Sequence, residues 1–332
     1  MKKIAINGFG RIGRLVFRQL IEDKNLKIVA INDLTDTKTL AHLLKYDTSQ
    51  GRFNGTVEYT ADSLVVNGVA IKVIAERDAT MLPWKALEVE AVVEATGIYK
   101  TKNDASKHLQ AGAKKVVISA PSSSADIKTI VFSVNEGTLT ADDQIISAAS
   151  CTTNALALVA NVLENIFGIE KGFMTVVHAY TGDQKIQDAP HRDLRRTRAG
   201  AQNIIPTTTG AAVAIGKVLP ELVGKLSAIA IRVPVITGSI VDLTVELKDK
   251  NASVKTINEA MKSAASSSFE YEVDPIVSSD IVGNTHGSIF DSLMTNEITV
   301  DGKKLFKVVT WFDNESSYVS QYVRTFKHFI NL

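Results

Sequence analysis

Cys151 is the only cysteine in this chain of 332 residues. It stands in Ser150-Cys151-Thr152-Thr153, where an apolar stretch with helical spacing begins and runs to Phe167. A thiol at a helix N-terminus meets unpaired N–H groups and the positive end of the macrodipole, and both stabilise its thiolate. Two readings are open on these residues alone. A free cysteine is most often a small buried apolar residue, whereas a thiol held at a helix start is equipped for nucleophilic attack. Ser150, Thr152 and Thr153 add hydroxyls, one of which can be the helix cap.

An attacking thiol needs a proton acceptor. The six histidines are His42, His108, His178, His191, His286 and His328. His42, His108 and His328 fall on helical patterns and read as surface or packing residues. His191 lies in a polar loop and His286 in VGNTHGS. His178 ends the apolar strand MTVVHA, and strand ends at a sheet edge are where side chains converge on a cleft. Position sets it apart from the other five without separating it from a structural histidine.

The second constellation is Gly8-Phe9-Gly10-Arg11-Ile12-Gly13, a G-x-G-x-x-G motif between a strand and a helix. Gly8 permits a tight turn, Gly10 lets backbone approach a pyrophosphate, and Gly13 lets helix and strand pack closely. The helix N-terminus offers N–H groups to phosphates. Asp33 ends the next strand, at the spacing of the acid that bonds ribose hydroxyls; it would repel a 2′-phosphate, which favours NAD over NADP.

The elements that must position these groups are legible in outline. KIAIN, KIVAIND, AVVEATG and KKVVISAP are apolar strands alternating with helical patterns, RIGRLVFRQLIED and DTKTLAHLLKY among them. This predicts a parallel sheet covered on both faces, an α/β dinucleotide-binding domain. VEYT, SLVVNG and VAIKVIA read as a small antiparallel insertion turning at Asn67-Gly68. Beyond residue 150 come longer strands with apolar–polar alternation: GFMTVVHAYT, LSAIAIRVPV, SIVDLTVELK, SIFDSLMTNEITV and KLFKVVTWFD. They predict an α+β domain on a mixed, largely antiparallel sheet. A long polar stretch separates Tyr180 from Ile204, a length that marks a functional or interface loop. Tyr318, Tyr322, Phe326 and Phe329 recur at helical spacing near the end.

Composition bounds the rest. With 45% hydrophobic and 22% charged residues, the chain has enough apolar content for a large core in two domains. With a net charge of +1, nothing argues for a nucleic-acid or acidic-membrane partner. One cysteine forms no internal disulfide, which fits a reducing compartment. The apolar run at the start stops at Asn7-Gly8, too short for a signal peptide, and no segment approaches a membrane span. These features predict a cytoplasmic protein, with no metal site indicated.

ASCTTN around Cys151, INGFGRIGR, HAYTGDQ, DLRRTRAGAQNIIPTTTGAA, RVPV and WFDNESSY occur in order from residue 4 to about residue 322. Together they resemble the glyceraldehyde-3-phosphate dehydrogenase family over essentially the whole chain. The resemblance implies a Rossmann NAD-binding domain at 1–149, a catalytic domain at 150–313 and a last helix at 314–332 packing back on the first. It implies that Cys151 attacks the aldehyde of glyceraldehyde 3-phosphate. A thiohemiacetal becomes a thioester on hydride transfer to NAD, and inorganic phosphate then releases 1,3-bisphosphoglycerate. His178 is implied as ion-pair partner and then general base. Thr181 and Arg232 match the family's substrate-phosphate site. Ser150, Thr152, Thr209 and Gly210 match its attacking-phosphate site. Of the arginines at 192, 195, 196 and 198, Arg196 is the best match to the phosphate-binding arginine of the DLRRTR run, the others reading as salt-bridging or solvated residues. The resemblance adds Arg11 and Ile12 (through backbone), Arg77, Thr96, Ser119 and Asn314 to the NAD site. It implies Tyr318 near the nicotinamide and a homotetramer in which loop 180–204 lines a neighbour's cofactor site.

The chain departs from the pattern twice. Ala155 stands where many members carry a second cysteine, which removes a route to an internal disulfide. Ala189 precedes Pro190 where strict NAD enzymes often carry a bulkier residue, which weakens the NAD-over-NADP argument from Asp33. The alternatives are an erythrose-4-phosphate dehydrogenase-like enzyme, a semialdehyde dehydrogenase with the same thiol–imidazole logic, and a non-catalytic NAD-binding thiol redox sensor.

Overall fold

A computed structural model describes residues 1–332. The chain forms two compact units: Met1–Ile130 with Glu136–Ala149 and Tyr322–Leu332, and Val131–Asn135 with Ser150–Gln321.

The first unit begins with β1 (Lys2–Asn7), whose Ile4, Ala5 and Ile6 are completely buried. Then follow α1 (Arg11–Leu20), β2 (Leu26–Asn32), α2 (Thr37–Lys45), β3 (Val57–Tyr59), β4 (Ser63–Val66) and β5 (Val69–Ile74). After these come β6 (Ala91–Glu94), α3 (Lys102–Gln110), β7 (Lys115–Ile118), β8 (Lys128–Thr129) and β9 (Ile145–Ser147). They build a nine-stranded sheet in the order β3-β4-β5-β2-β1-β6-β7-β9-β8. β1 lies parallel between β2 and β6, so successive crossovers leave it in opposite directions. Such a switch point opens a crevice beyond the strands' carboxyl ends, here at Asn7, Asn32 and Glu94.

The segment read as an antiparallel insertion is only partly that. β3, β4 and β5 are antiparallel, and Asn67 (φ 50°) and Gly68 (φ 80°) make the left-handed hairpin turn. β5, however, pairs parallel with β2 and extends the main sheet. Alternation within a strand reports which face is buried and is silent on the neighbouring strand's direction.

The second unit opens with α4 (Cys151–Phe167), whose residues Thr152 to Ala160 are all buried; a helix this apolar belongs inside a core. It continues with β10 (Ile169–Ala179), β11 (Ile205–Thr207), α5 (Ala211–Val218), β12 (Leu226–Val233), β13 (Ser239–Leu247) and α6 (Val254–Ser263). β14 (Phe269–Glu272), β15 (Ser288–Asp291), β16 (Asn296–Val300) and β17 (Lys303–Phe312) precede α7 (Ser316–Ile330). The sheet runs β11-β12-β10-β13-β17-β15-β14, with β16 on β17, and its β10–β12 and β14–β15 pairs are parallel.

SIFDSLMTNEITV, read as one strand, is two. Asp291 accepts the Leu293 N–H at 3.2 Å and the Trp311 indole N–H at 3.0 Å, ending β15 in a short turn before β16. The aromatic stripe of α7 is buried throughout. From Tyr322 onward the helix belongs to the first unit, where the Tyr322 hydroxyl donates to Val117 O at 2.7 Å. No helix is long and apolar enough to cross a membrane.

Candidate active site

In the first unit the glycines of the motif have distinct steric reasons. Gly8 has φ 90°, and a Cβ there would lie 2.7 Å from Ala95 and Thr96 backbone atoms. A Cβ on Gly13 would lie 2.0 Å from Gly8 O, whereas one on Gly10 would meet nothing within 4 Å. Gly8 and Gly13 therefore serve packing, and Gly10 leaves open space at the start of α1. That helix start has no side-chain cap and no acid in its first turn, which suits an anion. The Arg11 guanidinium is engaged by Asp47 and by Ser49 Oγ at 2.7 Å, which leaves its backbone as the part suited to a ligand.

A cavity of about 400 Å³ lies here, lined by Gly8, Gly10, Asp33, Arg77 and Thr96. Asp33 accepts the Phe9 N–H at 2.7 Å and the Thr35 N–H at 2.9 Å, which fixes its carboxylate at the rim. Asn7, Asn32 and Tyr99 also line the cavity and belong to no motif used above. The signal that could have found the asparagines is a polar residue ending an apolar strand. Arg11, Ile12, Gly13 and Ser119 are not part of this lining; the Ser119 N–H pairs with Glu94 O at 2.9 Å.

In the second unit Ser150 is the cap of α4, its hydroxyl accepting the Thr153 N–H at 3.1 Å. Cys151 therefore sits at the first helical position, partly exposed, with Sγ 3.4 Å from His178 Nε2 and 4.0 Å from Thr152 Oγ1. His178 is buried at the end of β10, with Phe312 packed edge-on against its ring. Its Nδ1 lies 2.7 Å from Ala179 O. A carbonyl only accepts, so the proton is on Nδ1 and the Nε2 lone pair faces the thiol.

Arg232, paired across the sheet with His178, places Nη1 3.1 Å from Ala179 O and 3.4 Å from Thr181 Oγ1. Its approach of 3.1 Å to His178 Nδ1 sets two donors side by side, both directed to the same carbonyl. Arg232 Nε is buried without a partner. An unpartnered buried guanidinium N–H beside a threonine hydroxyl suits an anionic ligand group. Arg196 is held by Asp183 and Asp193, with Nε 3.0 Å from Thr207 Oγ1. Thr209 and Gly210 form the start of α5, which like α1 has a glycine at its cap position and no side-chain cap.

Burial pushes the Cys151 thiol up, against the pull of the Arg232 guanidinium and the Thr152 hydroxyl. Burial, then Arg232, lowers His178 to about 3, against the hydrogen bond to Ala179. The resemblance implied a thiolate–imidazolium ion pair. Burial works against charging either partner, while the Arg232 guanidinium favours the thiolate and disfavours the imidazolium.

Asn314, which the resemblance implies at the NAD site, does not cap the last helix. Asp313 does the capping, accepting the Glu315 and Ser316 N–H groups at 2.8 and 3.0 Å. Asn314 Oδ1 instead accepts from the Thr237 and Ser239 hydroxyls, both at 3.1 Å, which directs its amide N–H groups outward from that cluster. The Ser239 hydroxyl also accepts the Ala179 N–H at 3.1 Å, joining Asn314 to the strand end that carries His178. Thr237 and Ser239 carried no motif signal.

A doubly wound sheet with a glycine-lined cavity at its switch point places the chain among dinucleotide-binding proteins. Residues 2–102 match the family described as "Glyceraldehyde 3-phosphate dehydrogenase, NAD binding domain", and residues 150–314 match "Glyceraldehyde 3-phosphate dehydrogenase, C-terminal domain". The chain belongs to the glyceraldehyde-3-phosphate dehydrogenase family. It is 56% identical over 334 residues to a protein of that name from Clostridium pasteurianum, covering 100% of this chain and 99% of the relative. It is 57% identical over 333 residues to one from Streptococcus pyogenes, covering 99% and 98%. The cofactor of this family fold is NAD.

Proposed function

We propose that the chain oxidises D-glyceraldehyde 3-phosphate to 1,3-bisphosphoglycerate, using NAD and inorganic phosphate, through a thioester on Cys151. The observation that carries this reading is the 3.4 Å approach of Cys151 Sγ to a His178 nitrogen whose lone pair is fixed toward it. The thiol sulfur adds to the aldehyde carbon while its proton passes by way of Nε2 to the carbonyl oxygen, giving a thiohemiacetal and leaving Nε2 free again. NAD, when bound, supplies the acceptor for the hydride that leaves this carbon. His178 takes the hydroxyl proton as the carbon becomes a thioester. A phosphate oxygen then attacks the thioester carbon and the Cys151 thiolate leaves.

Arg232 and Thr181 hold the substrate's phosphate, and this binding also prepares the base. Arg232 is a cause of the low His178 basicity. A dianion on the guanidinium offsets that charge, so His178 accepts a proton more readily once substrate is seated. Ser150, Thr152, Thr209, Gly210 and Arg196 hold the attacking phosphate. Gly8, Gly10, Arg11, Ile12, Gly13, Asp33, Arg77, Thr96, Ser119 and Asn314 serve the NAD.

The protein works as a cytoplasmic homotetramer in this reading. Ile186 and Leu194, in the long polar loop, are 92% and 80% exposed, as residues that meet another subunit would be in an isolated chain. A steady-state assay with glyceraldehyde 3-phosphate and NAD, with and without phosphate, tests the function. Turnover should require phosphate; equal turnover without it would refute the phosphorylating reaction.

A further inference from the structure

Glu94, at the end of β6, is 1% exposed, and His108 on α3 and Trp84 are completely buried. The Trp84 indole nitrogen lies 3.0 Å from His108 Nδ1. An indole N–H can only donate, so Nδ1 accepts and the ring hydrogen lies on Nε2. That Nε2–H donates to Glu94 Oε2 at 3.0 Å. The same oxygen accepts Asn7 Nδ2–H at 2.6 Å. Oε1 accepts the Thr96 N–H at 2.8 Å and the Thr96 hydroxyl. Four donors occupy the acceptor sites of this one carboxyl group, so every partner around it points a hydrogen at it.

The saturated carboxylate orients what surrounds it. Because Asn7 Nδ2 donates to Glu94, Asn7 Oδ1 is the acceptor end, and it takes Asn32 Nδ2–H at 2.7 Å. Asn32 then clamps Glu76 backbone from both sides: Nδ2 donates to Glu76 O and Oδ1 accepts the Glu76 N–H, each at 2.9 Å. Next along the chain, the Tyr99 hydroxyl donates to Arg77 O at 2.6 Å. Asn7, Asn32, Glu76, Arg77, Thr96 and Tyr99 all face the dinucleotide cavity. None of Glu94, His108 and Trp84 does so, and none belongs to the thiol chemistry.

We propose that Glu94, His108 and Trp84 are positioning residues for NAD: they set the amide orientations of Asn7 and Asn32 and the hydroxyl of Thr96, and so hold the segment carrying Arg77 at the cavity. The inference rests on the assignment of this cavity to NAD. The hydrogen-bond directions follow one another without a free choice, so an error at Glu94 propagates to the lining.

Glu94→Gln tests this, because an amide N–H2 would replace an acceptor among groups that are all donors. NAD affinity, measured by calorimetry on the full chain, should fall about tenfold or more, the scale of a lost charge-assisted hydrogen bond. Alkylation of Cys151 by iodoacetamide without NAD should keep its wild-type rate, and the nitrogen-15 shifts of His108 in the wild type should report a neutral ring protonated on Nε2. Wild-type NAD affinity in folded Glu94→Gln overturns the proposal, even if its melting temperature drops, since that is a structural role alone; a doubly protonated His108 overturns it too. If Glu94→Gln does not fold, Trp84→Phe decides in its place. It keeps an aromatic ring and removes the donor that fixes the tautomer, together with the five-membered ring that carries it. Its affinity should fall about threefold to tenfold, and wild-type affinity there overturns the proposal. A wild-type protein that binds no NAD would remove the cavity assignment itself, a different result from variants that bind NAD as the wild type does.

Discussion

The two sites treat their polar groups in opposite ways. Beneath the dinucleotide cavity every acceptor position of Glu94 is filled, and each hydrogen bond fixes the next. Around the thiol, Arg232 Nε is buried without a partner and His178 is held at about 3. The difference matches the tasks. A site that only binds gains from saturation, which holds a shape before the ligand arrives. A site that moves protons must keep acceptors and donors in reserve for the reacting groups. The helix starts repeat the contrast. α2, α3, α4 and α6 are capped by the side chains of Asp36, Thr101, Ser150 and Ser253. α1 and α5, both proposed to meet phosphates, have glycines there and no side-chain cap, whereas α4, whose Ser150 and Thr152 are also assigned to a phosphate, keeps its cap.

The largest separation of the two sites should come from Cys151→Ser. Turnover should be nearly abolished while NAD affinity stays at the wild-type value. Appreciable turnover in a steady-state assay would take the thiol out of the mechanism. His178→Asn should slow acylation by roughly 10²- to 10⁴-fold, the usual range for loss of a general base. Stopped-flow bursts at the wild-type rate would show that the 3.4 Å contact is incidental. Arg232→Gln should lower kcat/KM for the phosphorylated aldehyde by about 10²-fold, near the strength of charge-assisted hydrogen bonds to an anion. Unphosphorylated glyceraldehyde should lose far less; equal losses for the two substrates would mean that Arg232 does not read the phosphate.

Smaller again is the effect of Asp33→Ala at the other site. The carboxylate is fixed at the rim by the Phe9 and Thr35 N–H groups and meets a 2′-phosphate with like charge. Removing it should shift the NADP-to-NAD preference by about tenfold, one lost interaction with an ionised group. An unchanged ratio of kcat/KM values would place the discrimination elsewhere, with Ala189 the next residue to change.

How far the sequence disclosed these sites follows from the kind of constraint involved. Gly8 and Gly13 are legible because backbone atoms exclude a Cβ, a demand that leaves a motif. Cys151 is legible because its chemistry requires one residue type at one helix position. Glu94, His108, Thr237 and Ser239 act by hydrogen bonds between distant segments, and no spacing rule connects them. His108 read as a surface or packing residue for that reason, although it is completely buried beside Glu94. The parallel pairing of β5 with β2 was hidden for a related reason, since strand direction is set by the partner. The opposing pulls on the thiol–imidazole pair come from burial and from Arg232, which joins the pair only in the folded sheet.

The reserve kept at His178 has a cost that acid should expose. Burial and Arg232 depress its folded value to about 3, from an ordinary 6.5. Between these values the unfolded chain binds a proton that the folded chain refuses. The stability contributed by keeping the ring neutral is therefore complete above pH 6.5 and is lost as pH falls toward 3, at up to about 1.4 kcal/mol per pH unit. Asp47 does not blur this window. Its burial raises its pKa, but hydrogen bonds from Arg11 and the Gln50 N–H outweigh that and hold it at about 2, so its contribution is lost only below its ordinary 3.8. Denaturant midpoints measured from pH 7 down to pH 4 should fall more steeply for the wild type than for His178→Asn, which has no ring to protonate. Parallel curves would mean that His178 ionises normally in the folded protein, and the contrast between a saturated site and one held in reserve would lose its main support.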